Sequence, residues 1–211
     1  MLSAKRSGSY KIDMCSGPIV SRLLLFAGPL VLSSVLQLLF NAADVVVVGK
    51  YAGDNSLGAV GSVGPLINLM VNMFIGLSIG CNVLASRFYG SSDDERLSRT
   101  VHTSMFVSLA AGLFIALMGT FLSERILIWM SSPEETLPLA TLYLRIYFLG
   151  MPASMAYNFG SALLRAVGDT RRPMWYLSAA GIINVILNLF FVISLHMDVA
   201  GVATATVISQ I

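Results

Sequence analysis

A single carboxylate, Asp44, stands within an apolar stretch whose other residues suit a lipid environment. If residues 36–53 form a helix, Gln37, Asn41 and Asp44 fall at positions i, i+4 and i+7 and share one face. A charge in mid-bilayer costs about 2.5–3.5 kcal/mol, so such residues usually face a bundle interior or a water-filled cavity. The pattern predicts a functional polar stripe that faces a bundle interior or a water-filled cavity; the alternative is an Asp44 near the outer interface that reaches water.

Other apolar segments carry polar side chains at helical spacing. Asn68 and Asn72 are four residues apart, and so are Asn184 and Asn188. Amides buried in lipid need partners, which a neighbouring helix can supply. We expect the second pair to line a site, whereas for the first pair contact between helices and lining of a cavity are equal alternatives. Further polar residues in the apolar segments are Tyr157, Asn158, Thr204 and Thr206.

These side chains must be positioned by elements that cross a membrane. The 211 residues are 56% hydrophobic and only 11% charged, and the mean hydropathy is +0.79, whereas soluble domains carry about 25% charged residues. The apolar runs are longer than barrel strands and do not alternate. In lipid a segment satisfies its backbone amides internally as a helix. The sequence therefore predicts an all-α, polytopic membrane helix bundle.

Six spans are predicted, and they divide the chain into an N-terminal cytoplasmic segment, 1–17, and a transmembrane region, 18–211. Each of the first five apolar runs reaches the roughly 17–25 residues that cross a bilayer. The sixth has 13 residues when the sequence stops, so we expect an incomplete span and a chain that is part of a longer protein. The predicted spans are about 19–49, 56–86, 97–123, 137–164, 173–195 and 199–211.

The basic residues are distributed unevenly between the two sides of this predicted topology. Ten lysines and arginines fall on the side of the N-terminus and three on the other side. The positive-inside rule assigns the ten to the cytoplasm. We expect a multi-pass protein of the cell (inner) membrane with a cytoplasmic N-terminus. The formal charge of +2 does not indicate a nucleic-acid partner; the lipid bilayer is the expected partner.

Signatures of enzymes, metal centres and nucleotide sites are nearly absent. The pattern G-x-S-x-G at 76–80 lies inside an uncharged helical segment, not at the strand–turn–helix that this motif requires. His102 and His196 stand apart from any metal-ligand cluster. Cys15 and Cys81 are expected at different depths and unpaired. We expect neither an enzyme nor a cofactor, so active transport would draw on an ion gradient or a separate subunit.

Four stretches of the sequence resemble the multidrug and toxic compound extrusion (MATE) family. They are LFNAADVVVVGKYAG…LGAVG (39–61), SRFYGS (86–91), ALLRAVGDTRRPMW (162–175) and INVILNLFFVISLHMDVAGVATATVISQ (183–210). Family members have twelve helices in two six-helix lobes that rock around a central cavity. The resemblance covers nearly all of 18–211 and implies an N-terminal six-helix lobe with a truncated sixth helix. Its partner would be the C-terminal lobe of the same protein.

The resemblance also implies functional residues. In the best-known prokaryotic branch a carboxylate on the first helix helps to bind the cation, and Asp44 matches it. Asn184 and Thr206 match residues of the fifth and sixth helices, whereas Asn188 stands where that branch has a second aspartate. We expect these four residues to bind the cation, with Asp44 and Asn184 holding Na⁺ where that is the ion. The residues expected to line the substrate cavity are Gln37, Asn41, Asn68, Asn72, Tyr157 and Asn158.

The function that follows from the resemblance is export of cationic or amphipathic organic compounds in exchange for H⁺ or Na⁺. A carboxylate among amides can take up a proton outside and release it inside, or its oxygens can hold Na⁺. Occupancy by the ion would then bias two conformations, which is alternating access.

Two rival functions are retained beside this one. A flippase for lipid-linked saccharides belongs to the same superfamily, but it would need a basic cavity for pyrophosphate, whereas the predicted faces carry amides and one acid. A non-transporting membrane scaffold subunit would need no ordered polar stripe within its spans. An intramembrane enzyme has no supporting motif.

Overall fold

The computed structural model describes residues 18–211, so the predicted segment 1–17 and Cys15 lie outside the described residues. This part of the chain is helical apart from short connections and contains no β-strand, which confirms the predicted all-α class. A π-helical turn, Phe190–Ser194, continues the sixth helix. The helices are α1 Ile19–Tyr51, α2 Asp54–Gly90, α3 Asp94–Trp129, α4 Leu137–Leu149, α5 Met151–Ala166, α6 Arg171–Leu189 and α7 Asp198–Gln210.

The long helices have the dimensions of membrane spans. Within residues 18–211, four segments are long and apolar enough to cross a membrane: α1, α2, α3, and α6 together with its π-helical turn. The predicted fourth span consists of two shorter helices, α4 and α5, which meet at Gly150. Pro152 lies in the first turn of α5 and has no N–H to offer a carbonyl of α4, so the hydrogen-bond ladder is interrupted there.

Two helices, α3 and α6, extend past the apolar runs, and at each start an aspartate side chain accepts one of the first N–H groups. Asp93 accepts a hydrogen bond of 3.0 Å from the backbone N–H of Arg96 at the start of α3. Before α6, Gly168 adopts a φ of 85°, a left-handed conformation suited to glycine. Asp169 then accepts a 3.1 Å bond from the N–H of Arg172 and pairs with the Arg172 guanidinium at 3.1 Å.

The bundle is organised around the broken fourth span. Helices α4 and α5 pack against α2, α3 and α7, whereas α1 packs mainly against α6, and α6 in turn against α7. Glycines allow the closest approaches: a Cβ at Gly112 would lie 2.6 Å from the backbone of Pro152, and one at Gly119 would lie 2.3 Å from the ring of Phe148. Small residues at helix contacts let backbones approach in membrane proteins, where dispersion rather than water exclusion drives packing.

Candidate functional site

The candidate site begins where α1 crosses α6. The Phe40 ring lies directly over Gly181, and a Cβ at that glycine would be 1.9 Å from the ring. Because Gly181 has no side chain, the Phe40 ring of α1 can lie directly against the backbone of α6. Asp44 lies one turn beyond Phe40, and Asn184 lies one turn beyond Gly181, so the contact brings the polar residues of the two helices together.

A chain of hydrogen bonds links three helices at this point. Asn188 donates through Nδ2 to Asp44 Oδ1 at 2.5 Å and to Asn184 Oδ1 at 3.1 Å. Asn184 donates through Nδ2 to the Thr206 hydroxyl of α7 at 3.3 Å, and that hydroxyl donates to the carbonyl of Val202 at 2.9 Å. The structure thus brings together the four residues predicted to bind a cation; their role in binding stays a prediction.

The electrostatic character of this cluster follows from its burial. Asn188 is 0% exposed and Asn184 is 6% exposed, and both lie in a mostly apolar core. Among the described residues, Asn188 Oδ1 has no hydrogen-bond partner, which leaves a buried acceptor beside a carboxylate. Carboxylate, amide and hydroxyl oxygens are the ligands of hard cations, and a carboxylate can also take a proton. The arrangement can therefore hold either Na⁺ or H⁺.

The site does not have the composition of a transition-metal centre. Within 18–211 the structure contains no group of three or more histidine, cysteine, aspartate or glutamate side chains that could hold a metal ion. Asp44 contributes one carboxylate, and the other oxygens around it belong to neutral side chains. Such a site suits a monovalent cation.

Four of the predicted cavity residues lie away from this cluster. Gln37 and Asn41 are exposed on α1 and are not among the hydrogen-bond partners that the described chain gives Asp44. Asn68 and Asn72 are exposed on α2, where Asn72 Nδ2 donates to the carbonyl of Asn68 at 2.7 Å. The predicted stripe on α1 therefore runs from a half-buried Asp44 to two amides on the outer surface of this chain.

The two predicted residues of the fourth span lie in α5 and are half-buried. The Tyr157 hydroxyl donates to the carbonyl of Pro173 on α6 at 3.2 Å. Asn158 donates through Nδ2 to the carbonyl of Ser154 at 2.8 Å. The first bond places the Tyr157 hydroxyl against α6, whereas the second stays within α5.

Sequence reasoning missed several polar groups near the site. Ser154 of α5 donates a hydrogen bond to the side-chain carbonyl of Gln210 on α7, and Gln210 follows Thr206 by one helical turn. The four-residue spacing of Thr206 and Gln210 could have indicated that both side chains lie on the same face of α7. Tyr143 and Tyr147 of α4 are buried and stacked with ring centroids 6.2 Å apart, and Tyr143 lies within electrostatic range of Asp44. The sequence around Tyr143 and Tyr147 has no comparable spacing that would have indicated their place near the site.

Comparison with known proteins identifies related sequences over most of the chain. A family model described as MatE matches residues 29–210. The probable multidrug resistance protein YpnP of Bacillus subtilis (strain 168) is 32% identical over 200 residues, which are 94% of this chain and 44% of that protein. The probable multidrug resistance protein YoeA of the same organism is 32% identical over 191 residues, or 89% of this chain and 41% of that protein. The chain spans less than half the length of these relatives.

The fold is also similar to solved structures. A MOP superfamily transporter from Pyrococcus furiosus superposes with a TM-score of 0.84 at 27% sequence identity. The superposition covers 90% of this chain and 42% of the other. The helical arrangement described above is therefore similar to that of one part of that transporter.

Proposed function

The chain belongs to the MatE family, and from this premise we propose that the protein exports amphipathic or cationic organic compounds in exchange for H⁺ or Na⁺. It is a helical membrane protein by family and by its apolar spans. We propose that it resides in the cell membrane with its N-terminus in the cytoplasm, and that a C-terminal lobe completes the substrate cavity. The relatives named as multidrug resistance proteins support this substrate class.

The observation that carries the proposal is the hydrogen bond from Asn188 to Asp44. A carboxylate of a membrane span must be compensated by polar partners, and here the compensation comes from a fully buried amide of another helix. The same amide leaves its own oxygen without a partner, which gives an arriving cation a second ligand beside the carboxylate. A non-transporting scaffold subunit would not require a cation site of this kind.

Exposed amides on α1 and α2 support a cavity on the adjoining surface. Gln37, Asn41 and Asn68 are exposed in this chain although they lie within spans. Polar side chains at such depth are rare against lipid and usually face a bundle interior or an aqueous cavity. A second lobe opposite these helices would supply that polar surface and enclose the substrate between the lobes.

The bound ion is coupled to the conformation through the strength of the hydrogen bond from Asn188 to Asp44. A hydrogen bond to an ionised carboxylate contributes about 1.5–3 kcal/mol, against about 0.5–1.5 kcal/mol for a neutral pair. Protonation of Asp44 therefore weakens the tie that Asn188 makes between α6 and α1 by about 1 kcal/mol, whereas Na⁺ held by Asp44 and Asn188 Oδ1 would join the two helices. A ligand shifts a conformational equilibrium by its difference in affinity for the two states, so protonation of Asp44 favours release of α1 from α6 and bound Na⁺ favours their contact.

The charges of the interior favour this function over the flippase. No lysine or arginine between residues 18 and 211 is buried, and the bundle interior offers amides, hydroxyls and the carboxylates of Asp44 and Asp169, of which Asp169 is paired with Arg172. A pyrophosphate headgroup needs basic partners. The interior described here attracts cations and disfavours such an anion.

The experiment is transport by the full-length protein in proteoliposomes, with a fluorescent organic cation as substrate. We expect export driven by an imposed ion gradient, with abolition by a protonophore where H⁺ is the ion and by a Na⁺ ionophore where Na⁺ is the ion. Protein-free liposomes are the control for passive leak. Export that persists when both gradients are collapsed, or transport of a lipid-linked saccharide alone, would contradict the proposal.

A further inference from the structure

A second set of polar side chains continues from the candidate site toward the other end of the bundle. Thr206, the last member of the hydrogen-bonded chain at Asp44, precedes Gln210 by one turn of α7, so their side chains are neighbours on one face. Gln210 accepts a hydrogen bond from Ser154 of α5, and Ser154 is 8% exposed. Polar contact therefore passes from α6 to α7 and then to α5.

The same set extends along α5 toward its C-terminal end. Asn158 lies one turn beyond Ser154 and donates to the carbonyl of that serine. Ser161, which is 5% exposed, lies beside the Tyr157 hydroxyl. Arg165 lies about two helical turns beyond Tyr157, at the end of α5. The proposed topology puts this end of α5 at the cytoplasm.

We propose that these side chains form the route by which the coupling cation passes between Asp44 and the cytoplasm, an inference that rests on the proposed function. The set is called the polar seam and consists of Thr206, Gln210, Ser154, Asn158, Ser161 and Tyr157. It offers an oxygen at almost every helical turn. The shared chemistry is that of a monovalent cation, either Na⁺ or a proton carried by water.

The composition of the polar seam suits passage better than storage. Its members are neutral, so each can solvate a cation with an oxygen without trapping it as a carboxylate would. Burial of hydroxyl and amide groups carries a desolvation cost, and apolar side chains of similar size would have filled the same space without that cost. A route for an ion gives these groups a use that packing does not.

The alternative path for the cation, between α1 and α6, offers fewer polar contacts between helices. In the half of these helices that lies before the Phe40–Gly181 contact, the Ser33 hydroxyl donates to the carbonyl of Pro29 at 2.7 Å. On α6 the Ser178 hydroxyl donates to the carbonyl of Met174 at 2.8 Å. Both bonds stay within one helix, and neither links the cluster at Asp44 to the end of the bundle.

Thiol accessibility in the full-length protein tests the polar seam. Cys15 and Cys81 are first replaced by serine, and Ser154→Cys or Ser161→Cys is then introduced. Inside-out vesicles are treated with a small, cationic, membrane-impermeant methanethiosulfonate reagent. The matched control is Ser108→Cys, because Ser108 is buried at similar depth on α3 and donates only to Met105 of its own helix. Ser154 lies about 18 Å from the end of α5 and Ser108 about 21 Å from the start of α3, at about 1.5 Å per residue.

We expect Ser154→Cys to react at least about tenfold faster than the depth-matched Ser108→Cys control from the cytoplasmic side, and Ser161→Cys, about 8 Å from the end of α5, to react faster still. Equal rates, no reaction, or reaction only from the outer side would overturn the inference. This measurement needs no transport substrate. A negative result would therefore count against the polar seam alone, whereas the proposed function is tested by gradient-driven export by the wild-type protein.

A second variant keeps the test independent of cysteine chemistry. Gln210→Leu removes the acceptor at the point where the polar seam passes from α7 to α5. We expect exchange driven by a Na⁺ gradient or by a proton gradient, measured in separate arms, to be about tenfold slower for the ion that drives the wild type. Equilibrium affinity for that ion should stay unchanged, and Ser209→Ala should leave both quantities as they are. A loss of affinity with an unchanged exchange rate would contradict the proposal.

Discussion

Asn188 donates a hydrogen bond of 2.5 Å to Asp44 across 144 positions of the chain. The bond joins the two helices that run side by side through the Phe40–Gly181 contact. Because the amide is fully buried and donates also to Asn184, its orientation is set by its two acceptors. The carboxylate is therefore held at a defined place against α6, and changes at either residue should affect both ion coupling and helix packing.

Asp44→Asn should abolish cation-driven export while the protein still inserts in the membrane. The substitution keeps the shape of the side chain and removes the charge that binds a proton or Na⁺. The measurement is drug accumulation in cells that produce the full-length variant at wild-type levels. Asp54→Asn is the control because Asp54 is exposed at the start of α2. Drug accumulation as low in the Asp44→Asn strain as in wild-type cells would contradict the proposed mechanism.

Asn188→Leu should weaken both the cation affinity and the stability of the protein. Leucine fills a similar space but leaves Asp44 Oδ1 and Asn184 Oδ1 without the donor that they share. Polar contacts between helices in membrane proteins contribute about 1–2 kcal/mol, so we expect a loss of that size in thermal unfolding in detergent. Asn55→Leu, at an exposed position of α2, should change neither quantity. An unchanged cation affinity in Asn188→Leu would show that the amide does not position the carboxylate.

Gly181→Ala should separate α1 from α6. Its methyl group would meet the Phe40 ring at 1.9 Å, and overpacking of this kind costs about 1–3 kcal/mol. Gly160→Ala is the matched control, since nothing lies within 4 Å of a Cβ there. That change should be neutral or stabilising by up to about 1 kcal/mol, as alanine favours helix over glycine.

The contact can be isolated by a double-mutant cycle of stability. Phe40→Leu combined with Gly181→Ala should recover part of the stability that Gly181→Ala loses, because the smaller side chain makes room for the methyl group. Additive effects of the two changes would mean that they do not share a contact.

Much of the fold followed from hydropathy and spacing. The lengths of the apolar runs predicted the membrane helices, and the four-residue spacing of Asn184 and Asn188 predicted a shared face, on which the structure shows a hydrogen bond. The partner of Asp44 was harder to predict, because spacing within a helix does not say which helix packs against it. The resemblance to a known family supplied that pairing. The contact between Ser154 and Gln210 was missed for the same reason.

The break in the fourth span shows a further limit. Gly28-Pro29, Gly64-Pro65 and Gly150 to Pro152 carry similar signals, but α1 and α2 continue through their prolines. A Cβ at Gly150 would lie 2.8 Å from Val207 of α7, whereas nothing lies within 4 Å of a Cβ at Gly28 or Gly64. Tertiary packing thus distinguishes the sites, and packing is not visible in local sequence.

Asp169→Ala should destabilise the protein more than Asp93→Ala. Both aspartates accept the N–H of a residue three positions later at a helix start, and loss of such a cap costs about 0.5–2 kcal/mol. Both aspartates also pair with the arginine three positions later, but Asp169 is 1% exposed whereas Asp93 is half-buried, so the groups that Asp169 leaves unpaired have less access to water. Thermal unfolding of the two variants in detergent measures the difference. A smaller loss for Asp169→Ala would mean that burial adds nothing to this cap.

Cysteines in two short turns should report the proposed orientation. Ser92 follows α2 and Ser131 follows α3; both are exposed, and their φ angles are 57° and 56°, so the two sites are matched in local geometry. With Cys15 and Cys81 replaced by serine, Ser92→Cys should react with an impermeant thiol reagent only from the cytoplasmic side and Ser131→Cys only from outside. The reason is the excess of lysine and arginine on the first side. The opposite result for both sites would invert the topology, and with it the direction in which the polar seam leads from Asp44.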